Sequence, residues 1–301
     1  MTPSLAPAGS PGPPPGGVDQ APVTGMLLAL CAAIFAVEVA VSRGLAITSD
    51  AELRLGASYA LATIGEARWE TIVTACFVHG SVVHLAINLF VLWQSGPLVE
   101  RLVGSARFAP LVLLSGAFGY AVSVVARWVS HSGEFSVGAS GMISAVVVAA
   151  FVVGYRMQGW RGRLTRAMAW WIGFLIFVTV LANLLGSRPD NAAHLGGAIA
   201  GGVIASAWKR GAAHSAQATR VVLVACLGTV AACVAVLSVR EATSPFASML
   251  VQQRQQYTME AVGEGRCRDA HEGLRAVERL RGPMESLRKP VEMTCGHVEE
   301  R

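Results

Sequence analysis

Residues 77–98 read FVHGSVVHLAINLFVLWQSGPL, a stretch without Lys, Arg, Asp or Glu. A membrane helix needs roughly 20 consecutive, mostly apolar residues, because it must cross about 30 Å of hydrocarbon. This stretch has that length and composition, so we expect it to span a bilayer. It also carries His79, His84 and Asn88, polar side chains that are costly inside a membrane and therefore need an explanation.

The whole chain has the composition of a membrane protein. Of its 301 residues, 53% are hydrophobic and only 14% are charged, whereas soluble domains carry about 25% charged residues. This balance excludes a typical cytosolic enzyme, a disordered protein and a nucleic-acid-binding protein. The formal net charge of +5 can accompany nucleic-acid binding, but in so apolar a chain it favours basic loops at the surface of a lipid bilayer.

We predict an all-α, polytopic membrane helix bundle. The predicted spans are 25–47, 80–98, 108–129, 139–155, 167–186, 192–208 and 218–238. The expected division is a disordered Pro/Gly-rich tail (1–22), a six-helix core (23–210), a seventh transmembrane helix (211–240) and a polar helical tail (241–301). Residues 1–22 lack the basic start of a signal peptide, so we expect the first span to be retained.

Basic residues in the short loops predict the orientation. The loops after spans two, four and six hold nine Lys and Arg residues, against five in the longer opposite loops. Cytoplasmic loops are the more basic ones, so we expect a cytoplasmic N-terminus and a C-terminal tail on the outside, in a bacterial inner membrane.

The C-terminal tail has helical spacing of its apolar residues, as in CRDAHEGLRAVERLR, and predicts a small helical hairpin. Cys267 and Cys295 both lie in this tail. An outside location would allow a disulfide between them, and the sequence leaves that pairing open. The other four cysteines lie in or next to spans, where small buried apolar residues are expected.

Two further polar clusters open spans four and six. SVGASGMIS places Ser140 between Gly138 and Gly141, and NAAHLGGAIAGG places His194 before Gly197 and Gly201. Small residues of this kind, including Gly141, Gly197 and Gly201, allow membrane helices to approach closely. Packing alone would explain either cluster by itself.

Topology brings the three clusters together, because spans two, four and six all run inward from the outer face. Ser140 and His194 then form a nucleophile and base pair, since neutral histidine can take the serine proton near pH 7. His84, Asn88 and the Ser140 backbone N–H can donate to the oxyanion that such an attack creates. A polar helix–helix contact, a metal site and an ion or proton path are the alternatives. The clustering at one face argues against a path, and the absence of an HExxH arrangement argues against a metal.

A third catalytic member is not obvious in the sequence. Asp190 lies one helical turn before His194 and could orient it, or could lie in an aqueous loop. Glu38 in span one could instead pair with Arg43 at the interface. We therefore interpret the site as a dyad.

FVHGSVVHLAIN, LVERLVGSARF, GASG around Ser140 and HLGGAIAG from His194 resemble the rhomboid family of intramembrane serine proteases, over roughly residues 25–208. The resemblance implies a six-helix core plus one helix, and hydrolysis of peptide bonds in or near transmembrane segments of other membrane proteins. It implies Ser140 as nucleophile, His194 as general base, and His84 and Asn88 in the oxyanion hole, with His79 beside them. It implies no metal or cofactor, and a water-filled cavity open to the outer face.

Two positions depart from the family pattern. Family members often carry Trp-Arg in the first loop, where this chain has Arg68-Trp69-Glu70-Thr71. Many also have an aromatic residue four positions after the serine, where this chain has Ser144, so something else must hold His194. The main alternative function is an inactive rhomboid-like protein that binds membrane clients without cleaving them, although the serine and the histidine are both present.

Overall fold

The computed structural model describes residues 21–208 and 214–296. Apart from one two-stranded sheet, the regular structure of this part of the chain is helical. The helices are α1 (Pro22–Ser42), α2 (Ser49–Arg54), α3 (Thr71–Thr74), α4 (Val82–Val103), α5 (Ser105–Val129), α6 (Ser140–Gln158), α7 (Arg163–Leu184), α8 (Asn191–Ala207), α9 (Ala216–Thr243), α10 (Phe246–Gly263), α11 (Cys267–Arg281) and α12 (Glu285–Cys295). A π-helical turn covers Leu61–Gly65, and the strands are β1 (Ser58–Tyr59) and β2 (Phe135–Ser136).

The prediction of an all-α membrane bundle is confirmed. Among the described residues, α1, α4, α5, α6, α7 and α9 are long and apolar enough to cross a membrane. The predicted sixth span is α8, whose 17 residues extend about 26 Å at 1.5 Å per residue. The predicted disordered tail lies almost wholly outside the described residues, as do Lys209 and Arg210 of the orientation argument.

Polar side chains fix where α1 and α4 begin. The fully buried Glu100 accepts the backbone N–H groups of Val23 and Thr24, at 3.0 and 2.8 Å. These N–H groups belong to the first turn of α1 and have no partner within the helix. Ser81 caps α4 in the same way, because its hydroxyl accepts the His84 N–H at 3.1 Å. The start of α1 is therefore tied to the far end of α4.

Helix α8 packs closely against α6, because its glycines allow the two backbones to touch. A Cβ on Gly197 would meet the carbonyl oxygen of Gly141 in α6, and a Cβ on Gly201 would lie 2.6 Å from the Cα of Ala145. Side chains at these positions would force α6 and α8 apart. The two helices that carry Ser140 and His194 are thus held side by side along their length.

The C-terminal tail differs from the predicted hairpin. It forms three helices, α10 to α12, and a disulfide joins Cys267 at the start of α11 to Cys295 at the end of α12. The tail also shares a hydrophobic core with the loop between α1 and α4, in which Leu53 and Tyr59 pack with Phe246 and its neighbours. The hairpin prediction was therefore wrong in the number of helices, and local periodicity carried no information about the partner of the tail.

Replacing Gly197 with alanine should destabilise the bundle. The new Cβ would collide with backbone that cannot move aside, so we expect a loss of about 1–3 kcal/mol. Gly173 in α7 provides the matched control, since a Cβ there meets nothing within 4 Å and alanine favours helix. Thermal unfolding in detergent would compare the two variants. Equal stability of the Gly197→Ala and Gly173→Ala proteins would contradict the close approach of α6 and α8.

Candidate active site

Ser140 and His194 are in direct contact. Ser140 is the first residue of α6, His194 lies in the first turn of α8, and the Ser140 Oγ is 2.7 Å from the His194 Nε2. With that ring nitrogen unprotonated, the serine hydroxyl donates to it, which is the geometry a base needs to remove the proton. Both side chains are only partly buried, so the pair is open to water or a substrate.

His84 and Asn88 lie against the loop that leads to Ser140. A Cβ on Gly138 would be 2.6 Å from the His84 Nε2 and 3.5 Å from the Asn88 Nδ2. Gly138 also has a φ of +120°, a conformation that strongly favours glycine. The Tyr120 hydroxyl donates to the Gly138 carbonyl at 2.8 Å and fixes this turn from α5. The structure therefore brings His84 and Asn88 to the same place as the Ser140 loop.

The Asn88 side chain has one N–H donor more than the one that it uses within α4. Its amide donates once within α4, to the His84 carbonyl oxygen at 3.1 Å. The amide group of asparagine carries two N–H donors, so one is left to point elsewhere. The Ser140 N–H, in the first turn of α6, is a further donor that the helix does not use.

His79 is a buried link between α1 and the serine loop. Its backbone N–H donates to both carboxylate oxygens of Glu38, at 3.0 and 3.1 Å. Its Nε2 lies 3.5 Å from the Ala139 N–H, and its Nδ1 lies 3.1 Å from the Phe77 carbonyl oxygen. A neutral imidazole ring offers one donor and one acceptor, which fits these two contacts. Of the possible partners of Glu38, the structure shows the His79 backbone and not Arg43.

Asp190 fixes the start of α8 and does not contact the His194 ring. Its carboxylate accepts the Ala193 N–H at 2.9 Å, accepts the Ser123 hydroxyl, and lies 3.5 Å from the Arg127 guanidinium. These bonds make it the N-cap of the helix that carries His194. Of the two readings the sequence left open, Asp190 therefore orients His194 only through the helix start.

Ser144 is occupied within its own helix. Its hydroxyl donates to the Ser140 carbonyl oxygen at 2.8 Å. The backbone contact between α6 and α8 is what keeps His194 beside Ser140, since a Cβ on Gly141 would lie 3.3 Å from the Ala193 carbonyl oxygen. Small residues at the helix crossing thus replace the aromatic contact that many family members have at this position.

Sequence reasoning missed Tyr120 and the structural roles of Gly138 and Arg68. Tyr120 could not be identified from the sequence, because an aromatic residue in an apolar span does not reveal whether its hydroxyl bonds to another helix or loop. Arg68 is buried and donates to the Glu241 carboxylate at 2.5 Å. This bond holds the first loop, whose sequence departs from the family pattern at Arg68-Trp69. In the part of the chain that the structure describes, no group of three His, Cys, Asp or Glu residues is arranged to hold a metal ion.

The family model of the rhomboid domain matches residues 66–210. The chain belongs to the rhomboid family. It is 34% identical to the rhomboid protease GluP of Bacillus subtilis over 148 residues, which are 48% of this chain and 27% of that protein. It is 30% identical to the rhomboid protease GlpG of Serratia proteamaculans over 151 residues, which are 50% of this chain and 51% of that protein.

Other relatives come from eukaryotes. The presenilin-associated rhomboid-like protein A, mitochondrial, of Danio rerio is 31% identical over 140 residues, or 43% of this chain and 35% of that protein. The match thus spans from about a quarter to about half of the length of these relatives. This rhomboid protein is an integral, multi-pass membrane protein, and its α10–α12 segment lies outside the residues that the rhomboid domain matches.

The charge of Asp190 should make stability depend on pH. Burial alone would raise the pKa of Asp190, but hydrogen bonds from Ser123, Ser136 and Ala193 and the nearby Arg127 charge leave it below its ordinary value. A carboxyl whose pKa is lower in the folded protein than in the unfolded protein stabilises the folded state at pH values above its unfolded pKa of about 4. This contribution is lost as the pH falls through the folded pKa.

Asp190→Ala should therefore lower the free energy of unfolding by about 1–2 kcal/mol at pH 7. The difference from the unaltered protein should shrink below about pH 4. Glu272→Ala is the control, because Glu272 is exposed and pairs with Arg268 along one helix, an arrangement worth less than about 1 kcal/mol. A difference that stays constant from pH 7 to pH 3 would contradict an ionised cap.

Proposed function

We propose that this rhomboid protein is an intramembrane serine endopeptidase that hydrolyses peptide bonds in or near the transmembrane segments of other membrane proteins. The observation that carries the proposal is the 2.7 Å contact between the Ser140 Oγ and the His194 Nε2. Two further observations support the proposal. The Ser140–His194 contact lies at the beginning of α6 and α8, and the relatives include rhomboid proteases.

The proposed reaction begins with attack of the Ser140 Oγ on the substrate carbonyl carbon. His194 takes the hydroxyl proton during the attack and then gives it to the leaving amine, which leaves an acyl-enzyme on Ser140. Water next attacks the acyl-enzyme while His194 accepts a proton from it, and His194 returns this proton to the Ser140 Oγ as the bond to the acid product breaks. Each half of the reaction passes through a tetrahedral oxyanion.

The proposed oxyanion donors are the side chains of His84 and Asn88 and the Ser140 backbone N–H. The first two lie against Gly138, two residues before the nucleophile. The third belongs to a helix N-terminus, where the helix dipole favours negative charge. In this proposal, His79 supports the hole through Ala139 and does not touch the substrate.

The proposed substrates are single-pass or polytopic membrane proteins, which reach the site through the surrounding bilayer. We place the dyad at the outer face, with a cytoplasmic N-terminus and an outside C-terminus, in a bacterial inner membrane. The excess of Lys and Arg in the loops after spans two, four and six supports this orientation. The catalytic unit in this proposal is residues 23–210, and 211–240 add the seventh helix.

Ser140→Ala and His194→Ala should each abolish cleavage of a model transmembrane substrate in proteoliposomes. Loss of a nucleophile or its base costs about 10⁴-fold or more in serine proteases. Ser206→Ala and His214→Ala are the matched controls. Ser206 bonds within the opposite end of α8, and His214 precedes α9.

The controls should cleave at the unaltered rate. Cleavage by a folded Ser140→Ala protein would overturn the proposal. Client binding without cleavage by the unaltered protein would favour the inactive rhomboid-like function.

Asn88→Ala should lower the single-turnover cleavage rate by about 10²–10³-fold, because one oxyanion donor is lost. Asn183→Ala is the control, since Asn183 donates to the Thr179 carbonyl oxygen four residues earlier, as Asn88 does to His84, but lies exposed in α7. If both variants cleave at the unaltered rate, the oxyanion assignment of Asn88 is wrong.

A further inference from the structure

Arg68 is a buried cation in the loop between α1 and α4, with only 4% of its surface exposed. Its guanidinium donates to the Glu241 carboxylate at 2.5 Å and to the Ser244 carbonyl oxygen, and it lies 5.3 Å from the centre of the Phe246 ring. These three partners form the junction between α9 and α10. A buried charge is tolerated only when it is paired and hydrogen-bonded, so the first loop takes this position only with the C-terminal helices in place.

The first loop and the C-terminal helices form one hydrophobic core. We call residues 246–295 the C-terminal module. Its buried residues Phe246, Leu250 and Leu274 pack with Leu53 of α2 and Tyr59 of β1. The Tyr59 and Phe246 rings are 5.9 Å apart. The Cys267–Cys295 disulfide closes the module by joining α11 to α12.

This core reaches the loop that carries the nucleophile. β1 pairs with β2, with Tyr59 opposite Phe135 and Ser58 opposite Ser136. Phe135 and Val137 pack against this core, which the first loop and the C-terminal module share. Val137 directly precedes Gly138, the residue against which His84 and Asn88 lie.

A second connection runs through α2. Glu52 precedes Leu53 on this helix and lies against Gly80, because a Cβ on Gly80 would be 2.5 Å from the Glu52 Oε1. Gly80 follows His79, whose ring contacts Ala139. The C-terminal module is therefore connected to the surroundings of Ser140 by two routes through the first loop, one through the pairing of β1 with β2 and one through α2.

We infer that the C-terminal module is a positioning element for the catalytic centre, that Arg68 is the residue that fastens it to the first loop, and that the Cys267–Cys295 disulfide makes catalysis sensitive to thiol reductants. The inference rests on the proposed protease function. A dithiol such as dithiothreitol breaks the S–S bond, yields two cysteine thiols and is itself oxidised to a cyclic disulfide. Without the link between α11 and α12, the core that the module shares with the first loop loosens, and with it β2 and the turn at Gly80.

The redox test uses the full-length protein in detergent micelles and in proteoliposomes. Cys267→Ser/Cys295→Ser and the dithiothreitol-treated unaltered protein should both show about tenfold slower fluorophosphonate labelling of Ser140, since small displacements of catalytic groups are costly. Cleavage of a transmembrane substrate should slow equally. Reoxidation of the treated protein should restore both rates.

Cys226→Ser/Cys233→Ser is the matched control, because these two cysteines of α9 are free thiols. This variant should work at the unaltered rate and should still respond to the reductant. Labelling and cleavage at unaltered rates after release of the disulfide would overturn the inference. Slower cleavage with unchanged labelling would also overturn it, because the module would then act on substrate entry and not on the catalytic centre.

Arg68→Ala tests the fastening residue, with Arg68→Lys as the conservative variant. Lysine keeps the charge but lacks the planar fork that reaches both the Glu241 carboxylate and the Ser244 carbonyl. We expect labelling to fall most in Arg68→Ala and less in Arg68→Lys. Arg268→Ala, which removes an exposed pair within α11, should have no effect. Equal labelling by all three variants would contradict the role of Arg68.

Hydrogen exchange separates this inference from the proposed function. Release of the disulfide, or Arg68→Ala, should speed amide exchange in the segments 51–60 and 135–139 even if the protein cleaves nothing. Absence of Ser140 labelling in the unaltered protein would refute the protease function alone. Unchanged amide exchange in both segments would refute the coupling between the C-terminal module and the Ser140 loop, whether or not the protein cleaves a substrate.

Discussion

Gly141 and Gly197 bring the backbones of α6 and α8 so close that a side chain on Gly197 would meet the carbonyl group of Gly141. The geometry of the site depends on this approach, because Ser140 and His194 lie in the first turns of these two helices. With their backbones in contact, the serine hydroxyl and the imidazole are within hydrogen-bond distance. Inside a membrane, where apolar surface gives little driving force for helix association, such close packing is a main source of attraction.

Buried polar groups then set the ends of the helices and the loops between them. Asp190 caps α8, Tyr120 holds the Gly138 carbonyl oxygen, and Glu38 holds the His79 backbone. Each satisfies a group that would otherwise be buried without a partner. Their common effect is to fix the position of the loop before Ser140 relative to α4 and α8. A preorganised arrangement of this kind would let the proposed oxyanion donors act without first reorienting.

The sequence predicted the helices well, because long apolar runs such as that in α6 have few alternatives in a chain with so little charge. It also drew attention to Ser140, His194, His84 and Asn88, which are unusual residues in such runs. It did not predict the partners of Glu38 and Arg68 or the docking of Phe246 on Tyr59. Those contacts join residues that are far apart in the chain, and local periodicity cannot predict which distant residues will meet.

The most direct test of the account is to map a fluorophosphonate adduct by peptide mass spectrometry. The hydroxyl of a serine is a weak nucleophile unless a base activates it, so modification reports the dyad itself and needs no known substrate. The account predicts a single adduct on Ser140 in the folded protein and none in a folded His194→Ala protein. An unmodified Ser140, or an adduct that forms equally fast without His194, would contradict it.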